Sequence, residues 1–151
     1  MGSTAASQRI LEDVKVPVRL KLSALWASMM FLFAYGDIFG GFRADVIEDL
    51  RAGELGGFEV NQAFLLATSI YVAIPSLMVF LSLVLRPALN RWTNLVLAAV
   101  YAVTIALSVI GEGWAYFVFL SVLEVALAVL IAWHAWRWPR TSEVAEVVST
   151  H

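Results

Sequence analysis

Four long apolar runs separate the few charged residues of this chain, and they constrain its fold more than any other feature. The runs cover residues 20–42, 61–85, 92–111 and 114–136. A helix that crosses the hydrocarbon core of a bilayer needs about 20 apolar residues at a rise of about 1.5 Å each. Because each run has about that length, the sequence predicts four membrane-spanning helices.

Composition agrees with a lipid environment. Hydrophobic residues make up 61% of the 151-residue chain, whereas soluble domains are about half apolar. Charged residues make up only 15%, and they cluster between the runs. The formal net charge is -2 and no basic patch is present, so we expect a lipid bilayer as the surroundings and no nucleic-acid partner.

We therefore predict an all-α fold, an integral membrane four-helix bundle formed by a single domain. Residues 1–19 are a cytoplasmic N-terminal segment in this interpretation. Residues 20–138 form the four-span domain, and residues 139–151 form a cytoplasmic tail.

The distribution of Lys and Arg predicts the orientation. Short cytoplasmic flanks carry an excess of these residues. Eight of them would lie on one side of the membrane: Arg9, Lys15, Arg19, Lys21, Arg86, Arg91, Arg137 and Arg140. The other side would hold only Arg43 and Arg51. We therefore expect a multi-pass protein with both termini in the cytoplasm.

The connection after the first run predicts a short amphipathic helix on the extracytoplasmic surface, between the first two membrane helices. Asp45 and Glu48 form a D-x-x-E capping pattern, and Gly53 is placed to end the helix. Its apolar face would hold Val46, Ile47 and Leu50. Such a helix either closes the bundle or covers an outward-facing cavity.

The remaining connections are short. Gly56-Gly57 predicts a turn, and Asn61 is placed to cap the second membrane helix. Pro87 would end that helix, and Asn90 would cap the third. The three residues 111–113 leave room only for a tight turn, so the third and fourth membrane helices should form an antiparallel hairpin.

Each run carries polar or small residues on one helical face. The stripes comprise Ser23, Ala27, Met30, Ala34, Asp37 and Gly41 in the first run; Thr68, Tyr71, Pro75 and Ser82 in the second; Asn94, Tyr101, Thr104, Ser108 and Glu112 in the third; and Phe117, Ser121, Glu124, Ala128 and Ala135 in the fourth. The opposite faces are mostly aliphatic or aromatic, and polar groups are costly in hydrocarbon. We therefore expect the stripes to converge on a shared interior.

Four residues of these stripes are candidates for binding a ligand or a proton: Asp37, Tyr71, Tyr101 and Glu124. The two tyrosines and Glu124 each lie about ten residues from a run end, hence roughly 15 Å deep, and Asp37 lies roughly 7 Å deep. We expect Glu124 to be protonated with Tyr71 or Tyr101 as its hydrogen-bond partner. Asp37 is expected to stay ionised in a wetter outer vestibule. Pro75 has no N–H to donate, which should leave the carbonyl of Tyr71 free.

Two functions fit this pattern. The first is a proton- or cation-linked permease for a small solute, which with only four spans would need a homodimer. The second is a non-catalytic structural or accessory membrane protein that packs against itself or a partner. Gly36 and Gly40 form a GxxxG motif that permits close helix approach. An exposed GxxxG face would favour the second function, whereas an interior cavity that touches Glu124 would favour the first.

Sequence chemistry argues against an enzyme. The chain has no cysteine and two histidines, so thiol chemistry, disulfides and bis-histidine haem ligation find no support. No nucleophile or metal motif accompanies the two carboxyl groups. We expect no catalytic activity, no cofactor and no metal site.

Several segments together resemble a family of small uncharacterised bacterial membrane proteins with four predicted spans, filed as a domain of unknown function. They are KLSALWASMMFLFAYGDIFGGF at 21–42, IPSLM at 74–78, Asn90-Arg91 and AWRWP at 135–139. The resemblance covers nearly the whole chain after about residue 15. It implies the four-span architecture and a location in the bacterial inner membrane, and it implies no activity.

Overall fold

The computed structural model describes residues 15–139, which form five helices and one β-hairpin. The elements are α1 (Val18–Gly40), α2 (Ala44–Ala52), β1 (Glu54–Leu55), β2 (Phe58–Glu59), α3 (Gln62–Val84), α4 (Pro87–Ser108) and α5 (Ala115–Trp136). Most of the predicted N-terminal segment and C-terminal tail, residues 1–14 and 140–151, lie outside the described residues.

Within that part of the chain, α1, α3, α4 and α5 are each 22 or 23 residues long and are apolar enough to cross a membrane. They correspond to the four predicted spans. The connections place the ends of the helices at two levels. The α2 end holds the last residues of α1 and α4 and the first residues of α3 and α5. The opposite end holds the first residues of α1 and α4 and the last residues of α3 and α5.

The four long helices pack with α1 between α3 and α5, and with α4 against α5. The predicted antiparallel hairpin of the last two long helices, α4 and α5, is therefore confirmed. Although α3 and α4 follow each other after a tight turn, they contact each other much less closely. Residues of both α3 and α4 line the cavity described below.

The buried core lies mostly toward the end opposite α2. Its largest apolar members, all at most 1% exposed, are Leu22, Trp26, Met29, Met78, Tyr101 and Ile131. The outward faces carry large apolar side chains, such as Phe31 at 67% exposed and Phe119 at 63% exposed. Helices that are apolar on their outer faces suit a lipid environment better than water.

The start of α4 differs from the prediction. Pro87 stands in the first turn of α4, where its missing N–H costs nothing, and Arg86 is the N-cap. The prediction that Asn90 caps this helix is wrong, because Asn90 lies inside α4 and is fully buried. The cap predicted for α3 is confirmed: the Asn61 side chain accepts a hydrogen bond of 3.0 Å from the N–H of Phe64.

The connection after α1 contains the predicted short helix, with a different start. Arg43 is the N-cap of α2, and Asp45 lies in the first turn, so the D-x-x-E cap is wrong. Gly53 ends α2 in the left-handed conformation, with φ of 82°, as predicted. Gly56 and Gly57 also have positive φ, and their turn joins β1 to β2 in a hairpin that the sequence did not predict.

The GxxxG face of α1 packs inside the chain. A Cβ atom added at Gly36 would lie 3.8 Å from Cδ1 of Leu120, and one added at Gly40 would lie 3.7 Å from the hydroxyl of Tyr116. Both of these neighbours belong to α5. The glycines therefore serve the contact between α1 and α5, which is the packing role that the motif predicts.

Candidate functional site

A cavity of about 530 Å³ lies between the four long helices and reaches from their middle toward the α2 end. It is partly open. We call it the central cavity. It is lined by Phe33, Gly36, Asp37, Phe58, Thr68, Tyr71, Val72, Thr104, Ile105, Ser108, Phe117, Leu120, Ser121 and Glu124. Three of the four candidate residues, Asp37, Tyr71 and Glu124, line it. Tyr101 lies directly behind it.

Glu124 provides the most buried carboxyl group of the cavity. It faces the cavity from α5 and is only 7% exposed. The hydrogen bonds formed within residues 15–139 include none to this carboxyl group. A buried polar group normally has a partner, so Glu124 is a group for which a ligand, a proton or water can supply one.

Asp37 lines the cavity from α1 and is exposed. Its position nearer the α2 end agrees with the predicted depth difference between the two carboxyl groups. The central cavity therefore holds one buried and one accessible carboxyl group, contributed by neighbouring helices.

The tyrosines have partners other than the predicted one. The hydroxyl groups of Tyr71 and Thr104 form a hydrogen bond of 2.7 Å between α3 and α4. The hydroxyl of Tyr101 donates to the backbone carbonyl of Tyr71 at 2.5 Å. That carbonyl is available because Pro75, one turn later, has no N–H, as predicted. The prediction that either tyrosine pairs with Glu124 is wrong, since both hydroxyls join α3 to α4 instead.

Aromatic rings form much of the inner wall. Phe33 stacks on Tyr71 with the ring centroids 6.3 Å apart, and Tyr71 lies 4.7 Å from Tyr101. Phe117 adds a ring from α5, and Phe58 adds one from the hairpin. Within the described residues, no Lys, Arg or His lines the cavity. The site thus combines carboxyl groups, hydroxyl groups and aromatic faces.

The predicted stripes of α3, α4 and α5 mostly face the interior, and that of α1 does so only in part. Ser23 is buried and Asp37 lines the cavity, but Ala34 is exposed. The other buried positions of α1 are Leu22, Trp26 and Met29, which lie outside the predicted stripe. The stripe predicted for α1 consists mostly of small residues. The larger side chains bury more apolar area, and they decide which face of the helix turns inward.

A buried polar network that the sequence patterns did not predict lies between the core side chains toward the end opposite α2. The indole N–H of Trp26 donates to the Asn94 side-chain oxygen at 2.7 Å, and the Asn94 amide donates to the Asn90 side-chain oxygen at 2.7 Å. The Asn90 amide then donates to the carbonyl of Ser82 at 2.6 Å. Asn90 and Asn94 are four residues apart, and this spacing was the available signal for a shared face.

An ion-pair cluster lies at the α2 end, near the cavity mouth. The Arg43 guanidinium contacts the carboxylate of Asp45 at 2.6 Å and that of Glu112 at 3.1 Å, and it lies 4.7 Å from the Trp114 ring centroid. Its hydrogen bonds lower the pKa of Asp45 from 3.8 to about 2. The backbone N–H of Trp114, assisted by Arg43, lowers the pKa of Glu112. The cluster joins the start of α2 to the connection between α4 and α5.

The four long helices around this cavity have the length and composition of helices that cross a membrane, as in multi-pass membrane proteins. The chain belongs to the family of unknown function DUF6326, whose sequence pattern matches residues 10–145. The resemblance to an uncharacterised family that the sequence suggested is thereby confirmed. No curated protein and no solved structure matches the chain.

Proposed function

We propose that the chain is a small permease of the bacterial inner membrane that binds a small solute in the central cavity and links its movement to protons or cations. The observation that carries this proposal is Glu124, which lines a cavity of about 530 Å³, is only 7% exposed, and has a carboxyl group that forms no hydrogen bond within residues 15–139. Intramembrane carboxyl groups in such positions are typical of proton and solute pathways.

The proposed orientation places both termini in the cytoplasm and the α2 end outside. The Lys and Arg bias between the connections supports it. The partly open cavity then faces outward. The short helix α2 lies on the outer membrane surface with its apolar face toward the membrane. The packed half of the four-helix bundle, around Trp26 and Asn94, faces the cytoplasm.

The proposed mechanism uses Glu124 as the group that a proton and a solute share. A buried carboxylate is stable when it is neutralised by a proton or paired with a positive or hydrogen-bond-donating ligand. Binding of the solute then releases a proton, and its departure takes one up. Asp37, exposed on the α1 wall, attracts the solute toward the cavity.

Release toward the cytoplasm requires the packed half to separate. In this proposal α3 and α4 separate, because they pack less closely than the other neighbouring helices, and the hydrogen bond from Asn90 to the Ser82 carbonyl breaks. Four helices can enclose only a small part of a transport pathway, so the proposed transporting unit is a homodimer.

The test is transport by the purified chain in proteoliposomes that contain a pH-sensitive dye and carry an imposed pH gradient. A panel of cationic, neutral and anionic small solutes is added outside. We expect at least one solute to enter with a coupled change of internal pH, and we expect Glu124→Gln to abolish that change. Glu48→Gln, on the exposed surface of α2, is the matched control and should transport normally. Coupled uptake that survives Glu124→Gln would contradict the proposal.

One observation favours the second function, a membrane component that does not transport. The half of the molecule opposite α2 is closely packed, with Leu22, Trp26 and Ile131 all fully buried. A binding protein needs a cavity but no pathway through the molecule, and a packed half below the cavity would suit it. Saturable ligand binding without uptake in the same proteoliposomes would identify it.

A further inference from the structure

We propose that the central cavity binds an organic ammonium ion that carries an aromatic or branched apolar group. This inference rests on the proposed function in one respect: both place the ligand in the central cavity. It adds the chemical class of that ligand, and it holds whether the chain transports the ligand or only binds it.

The charge of the ligand follows from the cavity wall. Two carboxyl groups line the cavity, those of Asp37 and Glu124, and within the described residues no basic side chain opposes them. Glu124 is 7% exposed, faces the cavity and has no hydrogen-bond partner from residues 15–139. A cation placed beside it supplies the partner that a buried carboxylate requires.

The aromatic wall selects an organic cation. Phe33 stacks on Tyr71 at 6.3 Å, and Phe117 faces the same space from α5. Aromatic faces attract alkylated ammonium groups through the negative charge of their π systems, and this attraction is strongest where water is excluded. Phe58, at the mouth, adds a ring that a ligand meets on entry.

The same wall is unsuited to a bare metal ion. Calcium and magnesium need about six to eight oxygen ligands in a tight shell. Across residues 15–139 no group of three or more His, Cys, Asp or Glu side chains is placed to hold a metal. Much of the remaining lining is apolar, including Val72, Ile105 and Leu120. An apolar substituent on the ligand would contact these side chains.

The size and the hydroxyl groups agree with a small organic ligand. Cavities that bind small molecules measure about 300–1,000 Å³, and the central cavity measures about 530 Å³. Thr68 and Ser121 place hydroxyl groups on two walls, and the negative ends of their O–H dipoles attract an ammonium group with or without an N–H.

The test is calorimetric titration of the purified chain in detergent with four probes: benzyltrimethylammonium, benzyl alcohol, benzoate and sodium chloride. We expect saturable binding of benzyltrimethylammonium only. Loss of a charged partner in a desolvated site should weaken that binding more than about tenfold in Glu124→Gln. Phe33→Leu should weaken it by a smaller factor. Glu48→Gln is the matched control and should bind as the wild type does.

Each variant is first checked for helix content and thermal unfolding, so that an unfolded variant is not counted. Equal affinity for benzyl alcohol, unaltered binding by folded Glu124→Gln, or no binding of the ammonium probe would overturn the inference. Saturable sodium binding that excludes the ammonium probe would also overturn it.

The outcomes separate this inference from the permease proposal. Binding of the ammonium probe without uptake by proteoliposomes supports the ligand class and contradicts the permease. Coupled uptake of a neutral solute that requires Glu124 supports the permease and contradicts the ligand class.

Discussion

At the scale of single residues, Asn94 and Asn90 together join three of the four long helices. Asn94 accepts from Trp26 of α1, and Asn90 donates to the Ser82 carbonyl of α3. The bond between the two asparagines lies within α4. These groups have little access to water, so each depends on the others for its hydrogen bonds.

Replacing Asn94 by Ala should therefore lower stability. The change leaves the Trp26 indole N–H and the Asn90 side-chain oxygen without partners, at a cost of about 1–3 kcal/mol. The measurement is the midpoint of thermal unfolding in detergent. Ser28→Ala is the control, because the exposed Ser28 hydroxyl bonds only to the Ala24 carbonyl of its own helix. That variant should stay within about 0.5 kcal/mol of wild type. Equal midpoints for the two variants would show that the network does not stabilise the fold.

The two carboxyl groups of the cavity differ in how far they are buried. Asp37 is exposed on the α1 wall, whereas Glu124 is buried beside apolar and aromatic side chains. Asp37 is the more conspicuous of the two in the sequence, because it is a charged residue near the end of the first apolar run. Glu124 is the stronger candidate for ligand binding, because it is only 7% exposed, lines the cavity and has no hydrogen-bond partner within residues 15–139.

At the scale of elements, the Arg43 cluster holds α2 and the connection between α4 and α5 together beside the cavity mouth. Asp45 and Glu112 both have lowered pKa values in the folded chain. A carboxyl group whose pKa is lower in the folded state stabilises that state above its unfolded pKa. The contribution is lost as the pH falls through the folded pKa.

The thermal unfolding midpoint should therefore fall as the pH decreases from about 5 toward the folded Asp45 pKa of about 2. Arg43→Gln should make this fall shallower, because it removes the guanidinium that both carboxylates contact. Arg51→Gln, on the exposed surface of α2, is the matched control and should keep the wild-type slope. An identical slope in Arg43→Gln and wild type would show that the cluster contributes no stability of this kind.

The elements also show where sequence patterns suffice. Length and hydropathy located the four long helices, because both are local properties of a run. Gly53 and Asn61 were assigned correctly, since a helix end and a helix cap depend on one residue and its backbone. Asn90 was assigned wrongly because Pro87 both follows the end of α3 and starts α4, and the sequence alone gave only the first role.

At the scale of the whole molecule, the helices bring together most of the stripes that helical spacing had predicted. Glu124, Tyr71 and Asp37 line one cavity, with Tyr101 behind it. The partners of the tyrosine hydroxyls were beyond prediction, because they depend on how closely α3 approaches α4. The face of α1 that turns inward could not be predicted in full either, because the packing of Trp26 and Leu22 against other helices sets the rotation of α1 about its axis.

The division of the molecule into an open half and a packed half is the feature on which the functional account depends. The cavity occupies the half near α2, and the core with its asparagine network occupies the other. A solute entering from the α2 end would reach Glu124 and stop at the packed side chains below it.

The most direct measurement is the reaction of single cysteines in α5 with a small, positively charged, membrane-impermeant thiol reagent added outside intact cells. The chain has no cysteine of its own, so each introduced thiol is unique. Ser121 lines the cavity one turn from Glu124, and Ala128 lies one turn beyond Glu124 in the packed core. The account predicts that Ser121→Cys reacts, that benzyltrimethylammonium slows this reaction, and that Ala128→Cys stays unmodified. Equal protection of both cysteines would contradict an outward-facing, water-filled cavity at Glu124.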